Sequence, residues 1–416
     1  MNRTEPMKLI ILLMISSLLV MPPLHARSDE ATAGELADST DRDSSLMNVD
    51  AIYARPFLTG TESTVGLGGY VEANVQTVNQ GGINEGVDFQ ARRLTLFLSG
   101  SPYNNLRFLT EIEFENGTEE INIEFASLDL ILHRLLSIRG GIILIPIGAF
   151  NQNHDGPRWN FIDRPISATQ LLPATWSAAG FGVLGKLVRK GYSISYEAYL
   201  SNGLNNSIVS NADQRTSLSA GKADPLRFEE SFNGHVMLSG RTAVAIGTFG
   251  EIGLSYAGGV YNLPEVDGIS LTEDLWNHIV SVDYAFGSFA DLLHVRAEAS
   301  FVSTDLPADI DPVYASQQLG GYVDANLAFW RGSFLGFDNS SAFVGIRAEY
   351  VDFHLQQPTD DQASGDEVAS ATLALTYHPA PGTILRANYR NLWTTDLISN
   401  PAVRTTIFQF GLTTYF

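Results

Sequence analysis

Leu106-Arg107-Phe108-Leu109-Thr110-Glu111-Ile112-Glu113-Phe114 decides how this chain is read. Successive side chains of a strand point to opposite faces. Leu106, Phe108, Ile112 and Phe114 therefore share one face, and Arg107, Glu111 and Glu113 share the other. The pattern predicts a strand with one apolar and one charged side. It recurs from Gly66 to Phe416, near 66–78, 88–99, 104–115, 120–131, 135–145, 178–189, 191–201, 231–241, 248–260, 275–286, 290–302, 318–330, 340–353, 367–378, 383–394 and 403–416, sixteen segments in all. Each can cross a tilted bilayer, which takes about 9–11 residues.

The connections alternate in length. Short turns are expected at Gly100–Tyr103, His133–Arg134, Arg189–Gly191, Gly287–Phe289 and Pro379–Gly382. Longer loops are expected at 79–87, 146–177, 202–230, 261–274, 303–317, 354–366 and 395–402, while 116–119, 242–247 and 331–339 blur the contrast. An even number of long strands, with short turns on one side and long loops on the other, describes an all-β transmembrane antiparallel barrel of the bacterial outer-membrane kind. Closure leaves no strand edge unpaired in lipid. A soluble sandwich or propeller fits less well, because its strands run to about 5–6 residues.

Parity assigns the lumen. A cation on the lipid face near the midplane costs about 2–4 kcal/mol, so Arg107 points inward. The same test places Arg93, Ser137, Arg139, His294, Arg296, Glu298, Ser300, Arg347, Glu349, Arg386, Asn388 and Arg390 inside. It leaves Arg92 outward, near an interface. Segment 120–131 changes parity around Ala126, where a bulge fits, so the side taken by Asp129 stays open. Sixteen strands enclose an aqueous channel; a side-chain-filled barrel needs about eight.

One insertion breaks the rhythm. The strand Gly141-Ile142-Ile143-Leu144-Ile145 stops at Pro146, and roughly thirty residues follow without alternation, through Phe150, Asn151, His154, Asp155, Arg158, Trp159, Asp163 and Arg164 to Pro173. A loop this long is usually functional. It is polar and aromatic, with strands on both sides, and is read as folded into the barrel mouth and narrowing it. An ordinary surface loop is the alternative.

Composition adds exclusions. The 416 residues carry a net charge of −21, which argues against nucleic acid as a partner. There is no Cys, hence no disulfide framework and no thiolate metal site. Arg3 and Lys8, then the apolar run Leu9–Met21, then Leu24-His25-Ala26 read as a signal peptide over 1–26. Met7 is an equally good start. An acidic, mostly disordered lead-in is expected over 27–65, with the barrel over 66–416. The last segment sets Phe408, Phe410, Leu412 and Phe416 on one face. A terminal aromatic on an amphipathic strand resembles the signal read by the barrel-assembly machinery.

With these residues in view, the chain resembles the phosphate-selective porin O and P family. The likeness lies in Arg92-Arg93-Leu94-Thr95-Leu96, the Leu106–Glu115 strand, Gly140-Gly141, Pro146-Ile147-Gly148, Asn151 and Asp163-Arg164-Pro165. It implies a sixteen-stranded homotrimeric porin in outer-membrane lipid and lipopolysaccharide, with its third long loop in the pore. It also suggests anion passage. Here the chain departs from the family: a phosphate channel needs a ladder of basic residues, and this chain sets 25 basic against 46 acidic ones.

Arg158, Arg164, Arg107, Arg139, Arg296 and Arg347 are expected to form a cationic stripe facing Glu111, Glu113, Glu298 and Glu349 across water. Acids Asp305, Asp309, Asp311, Asp360 and Asp361 would sit at the mouth. The expected activity is passive, weakly selective diffusion of ions and small hydrophilic solutes; a phosphate or anion channel is the alternative. No Walker loop or Gly-x-Ser-x-Gly elbow is present. His133, His154, His235, His278, His294, His354 and His378 are scattered one per segment without metal-ligand spacing. Neither metal, cofactor nor enzyme activity is expected. A lipid hydrolase and a non-conducting structural barrel remain remote alternatives.

Overall fold

The computed structural model describes residues 65–416, apart from 118, 224, 264, 267–268, 271–272, 289–291, 309, 311–312, 356–365 and 398–399. The signal peptide and lead-in expected before Val65 lie outside the described residues. The strands are β1 (Val65–Gln80), β2 (Ile83–Tyr103), β3 (Leu106–Glu115), β4 (Glu120–His133), β5 (Leu136–Leu144), β6 (Ser177–Arg189), β7 (Tyr192–Asn202), β8 (Val236–Ile246) and β9 (Gly250–Val260). A small hairpin, β10 (Glu265–Val266) and β11 (Ile269–Ser270), precedes β12 (Trp276–Ser288), β13 (Leu293–Thr304), β14 (Gln317–Phe334), β15 (Phe337–Asp352), β16 (Glu367–Ala380), β17 (Thr383–Thr394) and β18 (Val403–Tyr415). All but β10 and β11 join antiparallel into one closed sixteen-stranded barrel. Closure runs through β1 and β18, from Tyr70 opposite Tyr415 to Gln80 opposite Thr405. Phe416 completes that seam, its backbone exchanging hydrogen bonds with Gly69.

The barrel is apolar outside and charged inside, as the alternation requires. Leu98, Leu254, Ile346, Leu373, Leu375, Phe408 and Phe410 are exposed on the outer face. Glu72, Glu111, Glu113, Asp129, Arg139, Arg241, Asp283, Asp324, Arg347, Glu349 and Arg386 are buried inside. A soluble fold would reverse this distribution.

The turn expected at Gly100–Tyr103 sits instead at Asn104-Asn105, because β2 runs on to Tyr103, and four further expectations change. The loop expected over 79–87 is a tight turn at Gly81-Gly82, with φ of 59° and 92°, and both strands run through the rest. Glycine reaches these angles at no steric cost. The strand expected at 231–241 starts later, at Val236. Residues 231–235 instead form a polar turn: Ser231 Oγ donates to the His235 carbonyl at 2.7 Å, and His235 N donates to Asn233 at 3.0 Å. The blurred stretch 331–339 resolves into a tight turn at Leu335-Gly336 between two long strands.

The fourth change concerns Arg92. Glu72 pairs with Arg93 but Ala73 with Ala91, so Arg92 is the extra residue of a bulge. It turns inward and donates to Asp163 at 2.8 Å. A second bulge lies in β4, where Glu111 pairs with Phe125 but Ile112 with Ile123. Beyond it Asp129 faces inward, opposite Arg139.

Candidate constriction site in the lumen

The long insertion enters the barrel between Ile145 and Trp176, and a single side chain clasps its neck. Asn151 Nδ2 donates to the carbonyls of Ile145 and Trp176, both at 2.8 Å. Its Oδ1 accepts from Trp176 N at 2.7 Å. Three short helical turns, Phe150–Gln152, Gly156–Arg158 and Ser167–Leu171, give the loop internal form.

From that neck the loop crosses the lumen and meets wall strands all round. Glu298 on β13 accepts from the backbone N–H groups of Ala149 and Phe150 at 2.9 and 3.0 Å. Gln152 donates to Glu197 on β7 at 2.7 Å. His154 Nε2 lies 3.3 Å from Glu111 on β3. Tyr415 on β18 donates to Asp155 at 2.6 Å. Ile162 N donates to Asn388 on β17, and Ile166 N to Glu349 on β15. Asp163 accepts from Arg92 at 2.8 Å, Arg390 at 2.9 Å and Gln409 at 3.2 Å.

Two loop groups titrate away from their ordinary values. Burial works against the Asp163 charge, but Arg92 and then Arg390 outweigh it and hold the carboxyl well below the usual range. Burial would lower the His154 pKa. Glu111 beside it reverses the sign and leaves the imidazole above its ordinary value.

The separated stripes expected from sequence do not form, because wall cations pair in place with carboxylates one or two strands away. Arg139 is bidentate to Asp129 at 2.7 and 2.8 Å. Arg347 is bidentate to Asp324 at 2.6 and 2.7 Å. Arg241 holds both Asp283 and Glu251, at 2.7 and 3.0 Å. Arg386 bonds Glu72 at 2.7 Å and points its other nitrogen at the carbonyls of Gly156, Trp159 and Phe161. Arg390 joins Glu349 at 3.0 Å. Strands one or two places apart bring opposite charges within hydrogen-bond reach, so pairing avoids the large cost of an isolated buried charge.

The structure gathers most of the expected pore residues around the loop. Arg93 meets Glu72, Glu113 and Glu115 at 3.0, 3.5 and 2.7 Å. Arg158 donates to Asn153 and Tyr415, while Arg296 donates to the Arg158 carbonyl and sits over Trp159. Arg107 lies opposite Asp129 in the β3–β4 register. Of the mouth acids, Asp305 accepts from Trp276 N. Asp309, Asp311, Asp360 and Asp361 lie outside the described residues. Sequence reading missed Arg92, Glu72, Glu197, Arg241, Asp283 and Asp324. The adjacent arginines 92 and 93 were the available signal of a bulge.

A second loop holds the first in place. The short helix Leu218–Lys222 packs over the insertion. Leu218, Leu204 and Ile208 join Leu171, Leu172 and Trp176, and this cluster leans on Val302 and Val351 of the wall. Lys222 donates to the Pro173 and Thr175 carbonyls. Its burial pulls the ammonium pKa down, partly offset by Glu124.

Space remains on the β2 and β17 side. A cavity of ≈ 380 Å3 there is lined by Arg92, Arg93, Arg164 and Arg390 against Glu115 and Asp163, with Thr169 and Gln170. Arg164 is the loosest of the four. It reaches Glu113 and Thr175 only at 3.5 Å, and its buried Nε has no hydrogen-bond partner.

The barrel fold is similar to that of solved outer-membrane proteins. The anion-selective porin of Comamonas acidovorans superposes with a TM-score of 0.51 at 14% identity, over 85% of this chain and 100% of that one. The outer-membrane channel DcaP of Acinetobacter baumannii gives 0.52 at 12% identity, over 85% and 97%. Salmonella typhi OmpF gives 0.50 at 12% identity, over 85% and 98%. The fold is that of the outer-membrane porins. No protein-family model matches the chain. In sequence it is similar to an uncharacterized protein of Aquifex aeolicus, 28% identical over 348 residues, 78% of this chain and 75% of that protein.

Proposed function

We propose that this chain is an outer-membrane porin that lets ions and small hydrophilic solutes diffuse through a barrel narrowed by loop 146–177. The observation that carries this reading is the inverted polarity of a closed sixteen-stranded barrel with a polar loop hydrogen-bonded across its lumen. The outer apolar face suits lipid, and the charged interior suits water and polar solutes. Export by the signal peptide, insertion by the assembly machinery and a homotrimer in lipopolysaccharide-bearing membrane belong to the same proposal. Purified protein in a planar bilayer should insert in discrete conductance steps. A heat-modifiable band without any conductance would favour the structural barrel instead.

A specific observation favours a second reading, that anions are preferred. The 380 Å3 cavity beside the loop presents four guanidinium groups and two carboxylates, and Arg164 has donor capacity to spare. Planar guanidinium forks match carboxylate and phosphate oxygens. The overall charge of −21 argues only about long-range attraction, which is screened beyond about 10 Å at 0.1 M salt. Reversal potential in a salt gradient, with phosphate added on one side, separates the readings. A potential near zero supports general diffusion, and a strong anion potential with phosphate block supports anion preference.

A further inference from the structure

We infer that Glu111, His154 and Asp155 bind a divalent transition-metal ion of the Zn2+ type, riveting the lumen loop to β3. One ligand atom from each lies within 4.8 Å of the others. Their exposures are 0%, 1% and 0%.

The imidazole is already set as a ligand. His154 Nδ1 lies 2.8 Å from the Asn151 carbonyl, which can only accept, so Nδ1 carries a proton. The lone pair of the neutral ring then falls on Nε2, which faces Glu111 Oε1 at 3.3 Å. A backbone carbonyl fixing one nitrogen while the other points at a carboxylate is how metal-ligating histidines are oriented. The spacing also fits. Zinc holds nitrogen at about 2.0–2.1 Å and carboxylate oxygen at about 2.0–2.2 Å, so two tetrahedral ligands stand about 3.3–3.5 Å apart.

Asp155 must close in by a small side-chain movement. Its carboxylate is oriented by the Tyr415 hydroxyl at 2.6 Å, the kind of outer hydrogen bond that supports a ligating carboxylate. Arg158 stands 3.7 Å from it, too far for a hydrogen bond, and spends a 2.6 Å bond on Asn153. Arg164, the other nearby cation, faces Glu113. The donor set of one imidazole and two carboxylates suits zinc better than magnesium. The rival state is a proton in place of the metal, giving an imidazolium paired with Glu111.

The test starts with the full chain purified folded in detergent, stripped with chelator and dialysed against Zn2+ alone. One Zn2+ retained per chain is expected, with X-ray absorption showing one imidazole nitrogen and carboxylate oxygens in the metal shell. His154→Asn and Glu111→Gln should each weaken retention at least tenfold, with folding checked by heat-modifiable gel migration. Failure of the unaltered protein to retain Zn2+ overturns the site without relying on any variant. Equal retention by His154→Asn would assign the metal to surface histidines and overturn it as well.

Discussion

Asn151→Ala isolates the clasp that keeps the loop inside the barrel. The substitution deletes three hydrogen bonds at 2.7–2.8 Å to the loop neck. Two of the acceptors are not abandoned. The Ile145 carbonyl still accepts from Ile147 N, and the Trp176 carbonyl still accepts from Ile145 N. Trp176 N is left as the orphan, on a residue 2% exposed. Three bonds at about 1 kcal/mol each, with the orphaned donor at the upper end of that range, give a loss near 3 kcal/mol. Tenfold corresponds to about 1.4 kcal/mol, so opening at the neck should become roughly a hundredfold more frequent. Hydrogen exchange of the Trp176 amide reads that opening directly, because local unfolding sets its protection. Asn151→Asp should be no better, since a carboxylate oxygen would then face two carbonyl oxygens. Planar-bilayer records should show larger and noisier conductance for both variants. Trp176 protection unchanged within threefold, with wild-type conductance, would refute the view that this side chain holds the loop.

Other expectations follow from the same geometry. Gly148→Ala should undock the loop start, because Gly148 has φ of +65° and an added Cβ would lie 2.5 Å from the Glu298 Oε2 that two N–H groups already hold; normal Ala149 and Phe150 amide protection would contradict this. Arg241→Met leaves Asp283 and Glu251 buried without their cation and should cost about 3–5 kcal/mol, seen as a lower temperature for the gel-mobility shift. Arg164→Ala should reduce any anion preference while Arg164→Lys retains part of it, both read as reversal potential. Asp163 has a depressed folded pKa, so its contribution is present above its unfolded pKa of about 3.9 and lost as pH falls below it. Acidification through that range should loosen the loop at Ile162, and Asp163→Asn should show the looseness at neutral pH already.

The barrel was legible because its signal is local. A period of two along Leu106–Phe114, repeated sixteen times, needs no knowledge of partners, and lipid enforces it at each outward position. That is why each of the sixteen expected segments overlaps a barrel strand, and why Glu298, Arg347, Glu349 and Arg386 are buried. Glycine pairs and turn residues carry information too, but Gly81-Gly82 was read as part of a loop where two strands simply run on. What failed was whatever depends on register between distant segments. One extra residue at Arg92 reverses a side chain; the adjacent arginines 92 and 93 hint at it, and the pairing with β1 fixes it. The strand sequence shows that Arg139 points inward, not that Asp129 waits on the adjoining strand. A long loop can be recognised by its lost alternation. Its route across the lumen is set by hydrogen bonds to β3, β7, β13, β15, β17 and β18, which come together only when the barrel closes. Tertiary structure therefore decided the charge arrangement: buried cations took the nearest carboxylates, because leaving them unpaired costs more than any pattern written along one strand can repay.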